Sequence, residues 1–145
     1  MKTLPLVASL LLGLASIAPA VRAAEAASLT VTFKALKTTT GAILFTVVNS
    51  EDAYNDKAPS VTQAMLPVSA DTATHAMSGL APGRYAIKAF HDVNGDGKMN
   101  ANPFGMPTEP FAFSNNAVAN MGPAKWADAS FEVTAGANTH TIDID

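Results

Sequence analysis

The stretch Leu29 to Leu36, LTVTFKAL, sets the terms for the rest of the chain. Leu29, Val31, Phe33 and Ala35 alternate with Thr30, Thr32 and Lys34, and successive side chains of an extended strand point to opposite faces. A strand that is dry on one face needs a second apolar layer to cover it. The remaining text supplies one. Gly41–Val48, GAILFTVV, is apolar on both faces and rich in β-formers, which predicts a central strand. Weaker strands are predicted over Val61–Val68 and Thr72–Met77. Between Val48 and Val61, NSEDAYNDKAPS reads as a loop with one helical turn at Glu51–Tyr54. In GLAPGRYAIKAFHD, Pro82-Gly83 suits a type II turn, proline fixing φ and glycine accepting a positive one. A strand then runs from Arg84 to His91. Ala129–Val133 and Thr139–Ile144 flank the turn TAGAN. No segment carries a long helical repeat. About seven short strands without helices between them predict an all-β fold, a single antiparallel β-sandwich.

Residues 1–23 read differently. Met1-Lys2 is a positive start, Leu4–Ile17 is an almost unbroken apolar run, and Val21-Arg22-Ala23 ends in the small residue signal peptidase favours. This is the pattern of a secretory signal peptide, too short to anchor stably in a bilayer, and it implies a periplasmic or secreted protein. Cleavage after Ala23 leaves 24–145 as a single domain. No later apolar run reaches the roughly 20 residues of a membrane helix. The chain has no cysteine, so neither a disulfide nor a lipid-modified cysteine is available, but about 120 residues can bury enough core without one. Losing Lys2 and Arg22 takes nine basic residues to seven against twelve acidic, and the net charge from −3 to −5. That balance argues against nucleic acid, whose binding rests on clustered Lys and Arg, and is compatible with a divalent cation.

The chemistry concentrates in HDVNGDGKMNANPFG, His91 to Gly105. Asp92, Asn94, Asp96, Gly97, Lys98 and Asn100 stand at positions 1, 3, 5, 6, 7 and 9 of a calcium-loop pattern. Calcium takes 6–8 oxygens, so alternate residues of a tight turn must present oxygen inward, Lys98 through its carbonyl. Position 12, usually a bidentate Glu, is Pro103, and the last ligand must come from Asn102, Glu109 or Asp128. The entering element is a strand rather than a helix. Such a site predicts calcium affinity on the order of 10⁻⁵ to 10⁻³ M and a structural ion that orders the long loop. A second reading stands beside it: Asp and Asn bond their own backbone in turns, and NGDG makes a good hairpin turn with no metal.

The segment from Asp92 to Asp128 shows hardly a strand, and Phe104, Phe111, Phe113, Met121 and Trp126 within it favour burial. It reads as one long ordered loop, either a flap over one end of the sandwich or a surface presenting Phe111, Phe113, Asn115, Asn116 and Trp126 to a small-molecule, glycan or protein ligand. His75, His91 and His140 lie on separate strands, and His91 is read as a hydrogen-bonded core or rim residue. No nucleophile motif or Ser–His pair is present, so no catalytic residue is assigned. A hydrolase using the loop carboxylates is the remaining enzymatic alternative, and it needs two solvent-facing carboxylates with raised pKa values.

Tyr85-Ala86-Ile87, His91-Asp92, Asn94, Asp96-Gly97-Lys98, Phe104-Gly105, Pro107, Glu109 and Phe113-Ser114-Asn115-Asn116 together resemble the hallmark of an uncharacterised secreted bacterial family, domain of unknown function 2141. The resemblance implies an exported single-domain Ig-like or transthyretin-like sandwich, and it implies no activity, since the family has no established one. Asn100 stands where the family often has Asp, and Ala112 where it often has Gly. The expectation is a non-enzymatic binding or envelope-associated module, its oligomeric state open.

Overall fold

The computed structural model describes residues 25–145; the signal peptide expected over 1–23 lies outside them. In chain order the elements are β1 (Ala27–Lys34), β2 (Ala42–Val48), α1 (Glu51–Tyr54), β3 (Thr62–Pro67), β4 (Ala73–Leu80), β5 (Gly83–Asp92), β6 (Phe111–Phe113), a 3-10 turn (Ser114–Asn116), α2 (Trp126–Ala129), β7 (Phe131–Val133) and β8 (Gly136–Asp143). One sheet has the order β4-β1-β8; the other runs β3-β2-β5-β6, with β7 also paired to β5.

The alternation in β1 does what its period demands. Leu29, Val31 and Phe33 are fully buried and meet Ile43, Phe45, Val47, Tyr85 and Ile87 of the opposite sheet in one core. Each such burial contributes roughly 1.5–3 kcal/mol. Phe33 and Phe45 join the two sheets, with ring centroids 5.2 Å apart. The fold is therefore an all-β sandwich. The helical turn forms where expected, its Ser50 hydroxyl accepting from the Ala53 amide at 3.2 Å.

Four details differ from the sequence reading. The sandwich has eight strands, and its first and last, β1 and β8, pair in parallel; no local pattern encodes which chain ends meet at a sheet edge. Ala35 does not continue the inward face. It adopts φ 62 and ends the strand. Pro82-Gly83 is not a type II turn, for Gly83 sits at φ 156 where that turn needs about +80°. β4 and β5 belong to different sheets, so the link is a corner, and the Tyr85 hydroxyl pins it by donating to the Ala81 carbonyl at 2.7 Å. Finally, Phe104 and Met121 are not buried: Phe104 is 91% exposed and Met121 wholly so. Among the described residues no helix is long and apolar enough to cross a membrane.

The long excursion after β5 is not one loop. Its second half adds β6 to the edge of β5 and continues into the 3-10 turn and α2, and there Ala86, Val48, Tyr54, Phe113 and Ala129 form a second, smaller core. Trp126 meets Tyr54 edge-on at 5.9 Å.

Candidate functional site: a clasped polar loop beside an apolar groove

β5 delivers Asp92 to the end of the sandwich with its side chain only 2% exposed. There its Oδ1 accepts the amides of Gly95 at 2.7 Å and Asp96 at 3.2 Å, and its Oδ2 accepts that of Gly97 at 2.8 Å. Gly95 and Gly97 hold φ near +75°, a region that costs other residues strain. Glu109 returns from the far side of the loop. Its Oε1 accepts from the Val93 amide and its Oε2 from the Asn100 amide, both at 3.0 Å. Two carboxylates thus fasten the loop at both ends, through the charge-assisted form of a bond to backbone N–H.

Between them a smaller knot faces solvent. Asp96 Oδ1 accepts the Lys98 amide at 2.9 Å, and its Oδ2 accepts the side-chain amides of Asn100 at 3.0 Å and Asn94 at 3.3 Å. Asn94 Nδ2 also donates to Asn100 Oδ1 at 2.9 Å. The Asn100 amide beside it, then the Lys98 N–H, hold the Asp96 carboxyl below the usual carboxylate range. The structure therefore gathers Asp92, Asn94, Asp96, Lys98, Asn100 and Glu109 in one loop. Asn102 is turned to its own turn, accepting from Phe104 and Met106, and Asp128 lies on α2, near enough to Tyr54 to act on its charge. Among the described residues no three His, Cys, Asp or Glu side chains converge to hold a metal; the converging set mixes carboxylates with amides.

Beneath the loop, Thr40 and Gly41 brace its first residues. His91, 1% exposed, hydrogen-bonds the Thr40 carbonyl through Nε2 at 2.7 Å. Gly41 has φ 76, and a Cβ there would stand 2.0 Å from the Asp92 carbonyl oxygen. His75 packs edge-on against Phe45 and His140 stacks on Phe131 at 3.8 Å, so the three histidines stay apart.

The residues proposed from sequence as a ligand surface divide. Phe111 and Phe113 line a groove, while Trp126 packs against Tyr54. Asn115 and Asn116, both at positive φ, tie the chain to its neighbours: Asn115 Nδ2 donates to the carbonyls of Asp128 and Ser130, each at 3.0 Å, and Asn116 Oδ1 accepts the Asp143 amide at 2.9 Å. Ser114, fully buried, fills the gap between β6 and β7. Its Oγ accepts the Ile87 amide at 2.8 Å and donates to the Ala129 carbonyl at 2.6 Å. The FSNN stretch is thus a splice that holds two short strands to one long one.

Sequence reasoning did not find the groove itself, a cavity of about 1150 Å³ on the outer face of the five-stranded sheet. Met65, Met99, Met106 and Met121 all line it and are all exposed. One wall, Met99 to Pro107, is the continuation of the clasped loop. Scattered methionines carry no period, and of these only Met65 lies on a strand, so the folding of the loops over the sheet is what makes them one surface.

The fold and the loop define the class: a single β-sandwich whose central strand feeds its terminal carboxylate into a DxNxDG loop, with an FSNN splice behind it. The sequence profile of one bacterial family matches residues 31–141, well over half of the chain. The chain belongs to that family, the uncharacterised proteins conserved in bacteria known as DUF2141. No curated protein and no solved structure matches it.

Proposed function

We propose that this protein is an exported, non-enzymatic binding module in which the Asp92–Glu109 loop is a calcium-type ordering element and the neighbouring groove is the binding face. One observation carries the reading: the stretch that Asp92 and Glu109 clasp also builds a wall of the groove. Order in the loop is therefore order in the binding face. The donors are oxygens only, which suits a hard cation. Asp96 would ligate through its carboxylate, Asn94 and Asn100 through amide oxygens after their side chains rotate, Lys98 through its carbonyl, and Asp92 through Oδ2, which accepts a single N–H. Glu109 would brace the loop behind them, both its oxygens being held by backbone amides. A cation would replace the Asn94 amide that now bridges Asp96 and Asn100.

The non-enzymatic part of the reading rests on the carboxylates. A general acid needs a raised pKa, whereas Asp96 is lowered; Asp92 and Glu109 are buried with their oxygens bonded to backbone amides, away from any substrate. A second reading, a metal-independent structural loop, is favoured by one fact: Asp92 and Glu109 already accept five backbone N–H groups, so the loop closes without an ion.

Thermal unfolding in chelator and in about 1 mM calcium separates the two. A site of roughly 10 μM affinity adds about 2.7 kcal/mol under those conditions, a rise of about 8–14 °C for a domain of this size. The rise should vanish in Asp96→Ala. Indifference of the wild type to calcium would leave the metal-independent loop as the account.

A further inference from the structure

The outer face of the five-stranded sheet carries two rows side by side. Strand register aligns Met65, Leu44, Phe90 and Phe111 in one cross-strand row, and Gln63, Thr46, Lys88 and Phe113 in the next. The apolar row floors the groove. The polar row leads into a second pocket of about 320 Å³ whose lining includes Asp56 and Ser60, and Thr46 and Gln63 line both cavities. Lys88 is the one charged residue among those described that line the groove. Its ammonium donates to the Asp56 carboxylate and to the Tyr54 carbonyl, both at 2.8 Å.

We propose that this pair of cavities takes a single-chain amphiphile with an anionic head, a medium-chain fatty acid, its carboxylate on Lys88 and its alkyl chain across the apolar row. The proposal rests on the groove being the binding face, and adds what fills it. An apolar floor that runs from Phe90 over Leu44 to Met65, with one cation beside its Phe90 end, is complementary to a molecule with one charged end. Its length fits. From β5, which carries Lys88, to Met65 on β3 is two spacings of about 4.8 Å, roughly 10 Å. An extended alkyl chain advances about 1.25 Å per bond, given C–C bonds of about 1.5 Å, so about nine carbons reach Met65 and a twelve-carbon chain covers this floor in full. Methionine rims suit such a ligand, because thioether side chains are flexible and polarisable and repack around an irregular chain. The head exchanges from the Asp56 side: that side chain is 84% exposed while Lys88 is 23% exposed, and an ion pair open to solvent at one partner is screened there. A peptide strand is a poorer occupant, since the floor runs across the strands and offers no free sheet edge along its length.

The test is calorimetric titration of the purified protein, expressed from its full chain, with dodecanoate and with dodecyltrimethylammonium, both below micelle formation. These share a tail and differ in the sign of the head. The expected result is saturable one-to-one binding of dodecanoate, at least about tenfold tighter than the cation, as charge complementarity requires. Met65→Glu should weaken dodecanoate by about tenfold or more, placing a charge on the apolar row. Asp56→Asn, whose amide tolerates the left-handed backbone there (φ 59), should tighten dodecanoate by about threefold to tenfold by freeing Lys88; a merely structural Asp56 would not do so. Equal affinity for the two heads, or no gain in Asp56→Asn, overturns the assignment of the head to Lys88. If neither amphiphile binds while a neutral apolar dye still does, the amphiphile is wrong and the binding face survives; if the dye fails too, the face itself is refuted. A dimer by sedimentation that Met65→Glu dissociates would mean that a second copy covers the groove, and would also overturn the proposal.

Discussion

The two halves of the excursion after β5 solve the same problem by different chemistry. Both must hold irregular backbone against the end and outer face of a sandwich. Asp92 to Glu109 is fastened by carboxylates that accept backbone amides, and it leaves its apolar side chains, Met99, Phe104 and Met106, exposed. Ser114 to Ser130 is fastened by a hydroxyl and two carboxamides, and although Val118 and Met121 stay exposed, it buries Ala124 and Ala129 with Phe113, Tyr54 and Ala86 in a second core. The first half depends on charge and carries little packing; the second is nearly neutral and packed. A segment held by carboxylates responds to cations as well as to protons, whereas the second half meets protons chiefly through one imidazole, His140, which accepts the Asn115 amide. The clasped half is accordingly the place for a switchable wall, and the spliced half is its fixed counterpart.

The largest effect should come from beneath the clasp. Gly41→Ala forces a Cβ against the Asp92 carbonyl at a positive φ, and the combined clash and strain should cost more than about 3 kcal/mol in urea unfolding. A mild loss would mean that the loop entrance is not braced from below. Ser114→Ala removes the splice hydroxyl and leaves a buried donor and a buried acceptor unpaired, for about 3 kcal/mol; its cost should be the same in low and high salt. Asp92→Asn keeps the shape but leaves one neutral acceptor oxygen and sets an NH2 donor against a backbone N–H, and should cost about 2 kcal/mol, mostly as faster amide exchange at Gly95, Asp96 and Gly97. If Asp92→Asn and Ser114→Ala loosened both halves equally, the contrast between them would fail.

Acid sharpens the comparison further. Asp96 has a depressed pKa, so what it contributes is present above the ordinary carboxylate range and is lost as pH falls through its lower folded value. The clasped half should loosen there, read as falling protection at Lys98. Burial holds the His140 imidazole below the ordinary histidine range, and its Nε2 accepts the Asn115 amide at 3.1 Å. Its neutral form is the one folding favours, so that contribution is complete above about pH 6.5 and declines as pH falls through the lower folded value. NMR titration should therefore put the His140 midpoint below 6.5. The smallest effect is at Tyr54, whose buried hydroxyl has no partner among the described residues and whose pKa burial, then Asp128, push up to about 12. Tyr54→Phe should be neutral or stabilise by up to about 1 kcal/mol.

Legibility in the sequence followed the range of the forces. Periodicity marked β1, β2 and β5 because one face of each is dry, and the spacing of Asp92, Asn94, Asp96 and Asn100 marked the loop because its network is local. β6 was missed: Phe111–Phe113 is three residues long, and only the open edge of β5 makes it a strand. The roles of Glu109 and Gly41 depend on contacts across 16 residues and across the sheet. Phe104 and Met121 misled because a large apolar side chain in a loop argues for burial, and these two are exposed.

The most direct measurement is residue-resolved amide hydrogen exchange in chelator and in about 1 mM calcium. The account predicts that calcium slows exchange from Val93 to Met106, groove wall included, and leaves Ser114 to Ser130 unchanged. Equal slowing in both halves, or none in either, would contradict it.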